Sequence, residues 1–189
     1  MTSKNITFVT GNQLKFENAK RILSNYGIQV FPVQLELPEI QAKTIKEVAV
    51  NKALTAALKI NRNVVCDDTG ILINALNGFP GPYTKFIQEK ISSEKIVKFL
   101  EEINDKTAVF ESVIVYAKPS GYTKTFKTII EGKITENKRG SHGWGWDTVF
   151  ELKKTKKTLA EHDSKERTLF WNKGYKDLGK WLKEKKTLK

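Results

Sequence analysis

Two adjacent carboxylates, Asp67 and Asp68, stand inside the apolar run Val64-Val65-Cys66-Asp67-Asp68-Thr69-Gly70-Ile71-Leu72-Ile73. Carboxylates at the edge of a core cost desolvation free energy unless a cation meets them. Two chemistries answer that demand. A solvated turn at Gly70, followed by a hairpin-like continuation to Leu76, would keep both acids wet. A divalent ion gripped by an acid pair at the mouth of a cleft would neutralise them. A second constellation is Thr10-Gly11-Asn12-x-x-Lys15. A strand, a glycine turn and a helix start present backbone N–H groups and the positive end of the helix dipole to an anion. Lys15 falls within the first helical turn, and Thr10 and Asn12 add a hydroxyl and an amide. The stretch lacks the second glycine and the Lys-Ser/Thr pair of a Walker loop, and it does not match the dinucleotide fingerprint. A third is Gly140-Ser141-His142-Gly143-Trp144-Gly145-Trp146-Asp147. Glycines let backbone close on a flat ligand and an exposed indole is a stacking platform; equally, the two tryptophans could plug a core. His142 is a lone loop histidine with no partner pattern.

The elements that must position these groups are legible from periodicity. Asn5 to Thr10 alternates and is β-branched, which predicts a strand. Leu14, Phe16, Ala19, Ile22 and Leu23 recur at helical spacing, and Gly27 closes that helix. Ile28 to Leu37 reads as a strand, with Pro32 pointing to a sheet edge. Thr44-Ile45-Lys46-Glu47 is a capping box opening a helix that runs to Ile60 and carries Lys52 in its middle, where a surface lysine is the default. Pro82 to Lys90 reads as helical, and Ser93 caps a further helix with a stripe of Ile96, Val97, Phe99, Leu100 and Ile103. Thr107 to Ala117 and Tyr122 to Ile134 are two long strands about a Lys118-Pro119-Ser120-Gly121 turn. Val149 and Phe150 read as a short strand end. Ser164 opens a helix that Gly174 interrupts, and Tyr175, Leu178, Trp181 and Leu182 form the apolar face of the last helix.

The chain has 189 residues, enough for one domain or two interlocked lobes. No run of about 18 apolar residues predicts a membrane span. Met1-Thr2-Ser3-Lys4 leads straight into the first strand, with neither a signal-peptide nor a transit-peptide pattern, so a cytoplasmic location is expected. Cys66 is the one cysteine, which excludes an internal disulfide framework and fits a small buried apolar role. The formal net charge is +12, and residues 153–189 hold 13 Lys/Arg against 5 Asp/Glu. That surplus is either a solvated lysine-rich face or an attraction for polyanions such as nucleotides.

Six motifs in register resemble one family. Thr10-Gly11-Asn12-x-x-Lys15, Leu37-Pro38-Glu39, Asn51-Lys52-Ala53, Asp67-Asp68-Thr69-Gly70, Gly78-Phe79-Pro80-Gly81-Pro82-Tyr83 and Gly143-Trp144-Gly145-Trp146-Asp147 follow the order and spacing of the inosine/xanthosine triphosphate pyrophosphatases. The resemblance runs from about residue 5 to residue 180. It implies an elongated, two-lobed α/β fold, with a long mixed twisted sheet flanked by helices and a nucleotide cleft between the lobes, over residues 1–189 as a single domain without a linker. It implies a cytosolic, homodimeric, Mg²⁺-dependent enzyme, with Mn²⁺ as an alternative ion, that cleaves non-standard purine nucleoside triphosphates (ITP, dITP, XTP) to the monophosphate and pyrophosphate. Membrane and nucleic-acid partners are not implied.

Position by position, the resemblance assigns Thr10, Gly11, Asn12 and Lys15 to the triphosphate and Lys52 to a second positive contact. Glu39, Asp67 and Asp68 match the metal-binding acids, with Asp67 where the family usually has Glu, and Asp68 matches the base for the attacking water. Thr69 matches a substrate contact, Trp144 a purine-stacking indole, and Gly145, Trp146 and Asp147 line the base pocket. Arg167 stands for a base-reading lysine, while Trp171, Asn172 and Lys173 replace the family's Ser-His-Arg. Those replacements bear on base preference, so a related pyrophosphatase with a different or relaxed base preference is the alternative. A basic nucleic-acid-binding relative without turnover is a third reading, but it leaves Asp67 and Asp68 facing phosphates with no purpose.

Overall fold

In the computed structural model, which describes residues 4–143 and 145–185, the first strand is β1, Lys4–Val9, with Ile6 and Phe8 buried on its inner face. Helix α1, Gln13–Ser24, starts at Asn12, whose side chain accepts the Lys15 N–H, and buries Phe16, Ala19, Ile22 and Leu23. Strand β2, Ile28–Val33, stops short of the predicted Leu37 and lies parallel to β1 at the edge of the sheet, where the N–H that Pro32 lacks is not needed. Helix α2, Ile45–Ile60, carries the predicted capping box in full: Thr44 accepts from the Glu47 N–H and Glu47 accepts from Thr44.

Strand β3, Val64–Ile73, departs from the sequence expectation. The backbone does not turn at Gly70 but stays extended to Ile73, because Ile71 and Ile73 are themselves fully buried core residues. The acid pair therefore lies within a strand. Successive strand residues point to opposite faces, so Asp67 and Asp68 are sent in different directions. Helices α3, Thr84–Lys90, and α4, Ser93–Phe99, precede β4, Thr107–Ala117, and β5, Thr123–Ile134; the latter two are joined by the turn at Lys118. Ser92, not Ser93, occupies the cap position of α4. Strand β6, Phe150–Leu152, completes a six-stranded sheet of order β2-β1-β3-β4-β5-β6. It is mixed, as expected: β1 is parallel to β2 and β3, whereas β5 and β6 are antiparallel.

The chain forms two compact units. One comprises residues up to Asp68, Ser112–Thr128 and those from Asn172 onward; the other comprises Thr69–Glu111 and Ile129–Trp171. The limits fall inside β3, β4 and β5, so no linker composition marks them in the sequence. The first unit is built on Phe8, Leu23, Val65, Ile114, Tyr175 and Leu178, the second on Ile71, Phe110, Ile134, Trp146, Phe150 and Leu159.

Helix α5, Ser164–Phe170, capped by Asp163, and helix α6, Asn172–Glu184, are separated at Trp171, not at Gly174. Trp171 is the C-cap of α5, and its ring packs edge-on against Phe110 with centroids 5.5 Å apart. Gly174 lies inside α6, where a Cβ would come within 2.9 Å of Ile114 Cδ1, and its N–H donates to Thr128 Oγ1 at 2.8 Å. The glycine is there for close approach to the sheet. Leu178 is fully buried in the same helix. Leu178→Ala should lower the unfolding free energy by about 2–5 kcal/mol, read as a fall in the urea midpoint with little change in slope.

Candidate active site

The β1–α1 turn is organised by its own polar groups. Thr10 Oγ1 accepts the Asn12 N–H at 3.0 Å, and Asn12 Oδ1 accepts the Lys15 N–H at 3.1 Å. Gly11 and Asn12 are exposed and Thr10 is half-buried, so the turn meets solvent at the head of α1. Lys15 points inward: its Nζ donates to Asp67 Oδ1 at 2.9 Å and lies 3.4 Å from the Asp67 carbonyl oxygen. The Asp67 side chain is only 4% exposed against 27% for Lys15. Ser112 Oγ also approaches Asp67 Oδ1, at 3.4 Å, and the Tyr175 hydroxyl donates to Asp67 Oδ2. Burial, followed by the charge of Asp67 and that hydrogen bond, lifts the Tyr175 phenol well above its ordinary range, so it remains a donor.

Asp68 has different surroundings. Its Oδ2 lies 3.7 Å from Lys52 Nζ, and the same ammonium donates to Glu39 Oε1 at 3.0 Å. Burial raises the Asp68 carboxyl above the usual value; Lys15 and Lys52 pull it back, while Glu39 and Asp67 push it further up. Burial draws Lys52 down, but the charge of Asp68 and the Glu39 hydrogen bond outweigh it and the ammonium ends raised. Cys66, next to the pair and fully buried, has its thiol pushed up to about 12 by burial, so it is an inert core group.

The donor chemistry admits a hard cation. Glu39 and Asp68 already share one positive charge, and both offer carboxylate oxygens. Mg²⁺ is commonly held by one or two carboxylates together with substrate phosphates. Two acids at one cation position fit that habit, and among the described residues no group of three His, Cys, Asp or Glu is arranged for a metal. The Asp67 carboxylate meets Lys15, Ser112 and Tyr175.

In the second unit the glycine-rich loop is closely packed. Gly143 and Gly145 have φ of 75° and 56°. A Cβ on Gly143 would lie 2.0 Å from Arg167 Nη1, and one on Gly145 would lie 1.9 Å from Gln88 Nε2. Both backbone conformations lie in the left-handed region that favours glycine, and the flexible ends of Arg167 and Gln88 take up the space beside them. Arg167 Nη1 donates to Asp147 Oδ2 at 2.9 Å. Arg167 Nε and Gln88 Nε2 are buried donors with no hydrogen-bond partner among the described residues. Trp146 is a core residue, 3% exposed, with its indole N–H 3.4 Å from the Thr84 carbonyl; of the two readings of the loop, this tryptophan takes the core-filling one. Trp144 lies outside the described residues.

The remaining candidates are Thr69, Asn172 and Lys173. Thr69 is half-buried in β3. Asn172 is buried at the start of α6, and its carboxamide oxygen accepts from Arg21 Nη2 at 3.1 Å. Lys173 is exposed and pairs with Asp177 one turn on, at 2.7 Å. Tyr175, Ser112 and Gln88 were not legible as site residues. Tyr175 reads in sequence as one apolar position of an amphipathic helix, and nothing local marks its hydroxyl as a partner for an acid 108 residues away.

Comparison with known proteins gives a consistent picture. The Ham1 family matches residues 6–174. The chain is 42% identical over 146 residues to a dITP/XTP pyrophosphatase of Methanosarcina mazei, covering 77% of this chain and 79% of that protein. It is 33% identical over 186 residues to one of Hyperthermus butylicus, covering 97% of each. Among solved structures, the Staphylococcus aureus Ham1 protein superposes with a TM-score of 0.83 at 28% identity, over 96% of this chain and 100% of that one. A Coxiella burnetii HAM1 protein, at 24% identity and a TM-score of 0.84 over 96% of this chain and 99% of that one, shares the fold.

The raised Asp68 carboxyl has a stability consequence. A carboxyl whose pKa is higher in the folded state binds its proton more tightly there, so its contribution is present below the unfolded pKa and is lost as pH rises through the folded one. At neutral pH the charged Asp68 therefore opposes folding of the metal-free protein. Asp68→Asn should raise Tm near pH 7, with the gain shrinking toward acid pH where both side chains are neutral. Metal-free melts across pH check this, and a lower Tm for the variant at pH 7 contradicts it.

Proposed function

The chain belongs to the Ham1 family, and on that premise we propose that it is a nucleoside triphosphate pyrophosphatase acting on non-standard purine nucleotides (ITP, dITP and XTP) within nucleotide metabolism. The observation that carries the reading is the division of the acid pair: the Asp67 side chain, 4% exposed, is held by Lys15, while the Asp68 side chain, 23% exposed, faces Lys52 together with Glu39. The names of the curated relatives supply the substrate class.

The triphosphate is assigned to the β1–α1 turn, with Thr10, Gly11, Asn12 and Lys15, and to Lys52. Thr69 adds a substrate contact. Backbone N–H groups at a helix start and two ammonium groups suit a polyanion and require no nucleophilic side chain. Asp68, with its raised carboxyl, accepts the proton of a water as the water oxygen bonds the α-phosphorus. The bond from that phosphorus to the bridging oxygen breaks, and pyrophosphate leaves with the electron pair. Glu39 and Asp68 would hold the Mg²⁺ ion, for which Mn²⁺ is a substitute. Once bound, the ion offsets phosphate charge and acidifies water. The base is assigned to Asp147, Arg167 and the glycine loop; the guanidinium is a donor and selects a 6-keto oxygen over a 6-amino group. The same reading makes the protein a cytosolic homodimer.

With ITP, Mg²⁺ and oxygen-18 water, the label should enter the monophosphate and not the pyrophosphate; label absent from both products excludes hydrolysis. Asp68→Asn should lower kcat by roughly 10²- to 10⁴-fold. One charge-assisted contact, worth about 1.5–3 kcal/mol, should prefer ITP over ATP by only roughly 10- to 150-fold in kcat/KM, and Arg167→Ala should bring that ratio toward unity. A preference of several thousandfold in the wild-type protein would contradict the single-contact account.

A further inference from the structure

Tyr175 is a phenol with no part in the proposed chemistry, yet it is 1% exposed and its hydroxyl ends on a carboxylate of the acid pair. It reaches Asp67 from α6, and Ser112 reaches the same carboxylate from β4. The opposite oxygen of Asp67 meets the Lys15 ammonium, so the order of contact is phenol, carboxylate, ammonium. Packing fixes the phenol: its ring meets Phe8 edge-on at 6.2 Å, and Tyr175 belongs to the core cluster with Ile114 and Leu178. A buried carboxylate with donors on both oxygens has one stable rotation, whereas a carboxylate with a donor on one side only can swing.

We propose that Tyr175 is a positioning residue for phosphate binding: its hydroxyl pins the Asp67 carboxylate, which in turn holds the Lys15 ammonium at the head of the β1–α1 turn. Asp67 then serves as an inward anchor for a phosphate-binding lysine, and the metal falls to Glu39 and Asp68. A lysine has long rotamer freedom, and holding its ammonium before the ligand arrives removes an ordering cost from binding. Tyr175 touches neither substrate nor metal in this account. The inference rests on the assignment of Lys15 to the triphosphate, and it can fail independently of the pyrophosphatase reading.

The test is a double-mutant cycle on inorganic tripolyphosphate binding by calorimetry, using wild type, Tyr175→Phe, Lys15→Ala and the pair, with Mg²⁺ present and each fold checked by thermal melt. Tyr175→Phe should weaken tripolyphosphate roughly tenfold, the scale of a hydrogen bond to a charged group, and should add little once Lys15 is alanine. In turnover of ITP it should raise KM by a similar factor with kcat within about twofold, the signature of a lost binding contact. No tripolyphosphate binding by the wild-type protein, an unchanged affinity in Tyr175→Phe, or an equal loss in the Lys15→Ala background overturns the proposal. If Tyr175→Phe does not fold, Asp67→Asn enters the same cycle: an effect that disappears with Lys15 supports the anchor, and one that persists overturns it. A wild-type protein that binds tripolyphosphate in this Tyr175-dependent way but leaves ITP intact would keep the anchor and remove the pyrophosphatase assignment.

Discussion

Two neighbouring negative charges inside an apolar strand are the constraint on which the first unit is built. Each carboxylate on β3 must find positive charge or hydrogen-bond donors, because a partly buried anion left alone costs several kcal/mol. The fold meets that demand from separate segments: Lys15 from α1, Lys52 from α2, Ser112 from β4 and Tyr175 from α6. If those donors were withdrawn, β3 could not keep its acids where they are. The parallel arrangement of β1, β2 and β3 brings the start of α1 toward the acid pair, since β1 pairs with β3 at Thr7 and Phe8 just before the turn.

Strand alternation then makes the two acids unequal. Asp67 turns to the buried side, where Lys15 and Tyr175 donate to its two oxygens, whereas Asp68 stays only partly buried and shares Lys52 with Glu39. Two residues of identical chemistry acquire different properties from one peptide unit of rotation. The price is strain of an electrostatic kind at Asp68, where burial and two neighbouring carboxylates favour the neutral form. Functional groups are often kept in such unfavourable settings, because a base must hold its proton affinity above that of an ordinary solvated carboxylate.

Much of the architecture was legible because the signals are local. The capping box of α2 and the bounds of that helix, the edge placement of Pro32 and the two long strands β4 and β5 all follow from short-range sequence pattern. The failures share a cause. Gly70 reads as a turn, yet β3 runs through it because the buried Ile71 and Ile73 outweigh a single glycine. Gly174 reads as a helix break, yet its missing side chain serves close packing on Ile114 while the break falls at Trp171. In each case a glycine has two local meanings, and a distant neighbour selects between them.

The sequence by itself determined which reactive groups exist, their order, and the local elements that carry them, because capping, periodicity and motif spacing are decided within a few residues. Tertiary structure alone decided which ammonium meets which carboxylate, that Trp146 fills a core, and that Asn172 turns to Arg21. It alone recruited Tyr175, an apolar-face residue by pattern, as the donor to Asp67 across 108 residues of chain. The reason is physical: a hydrogen bond depends on where two atoms lie in space, and for residues so far apart that is set by the packing of the sheet and helices between them.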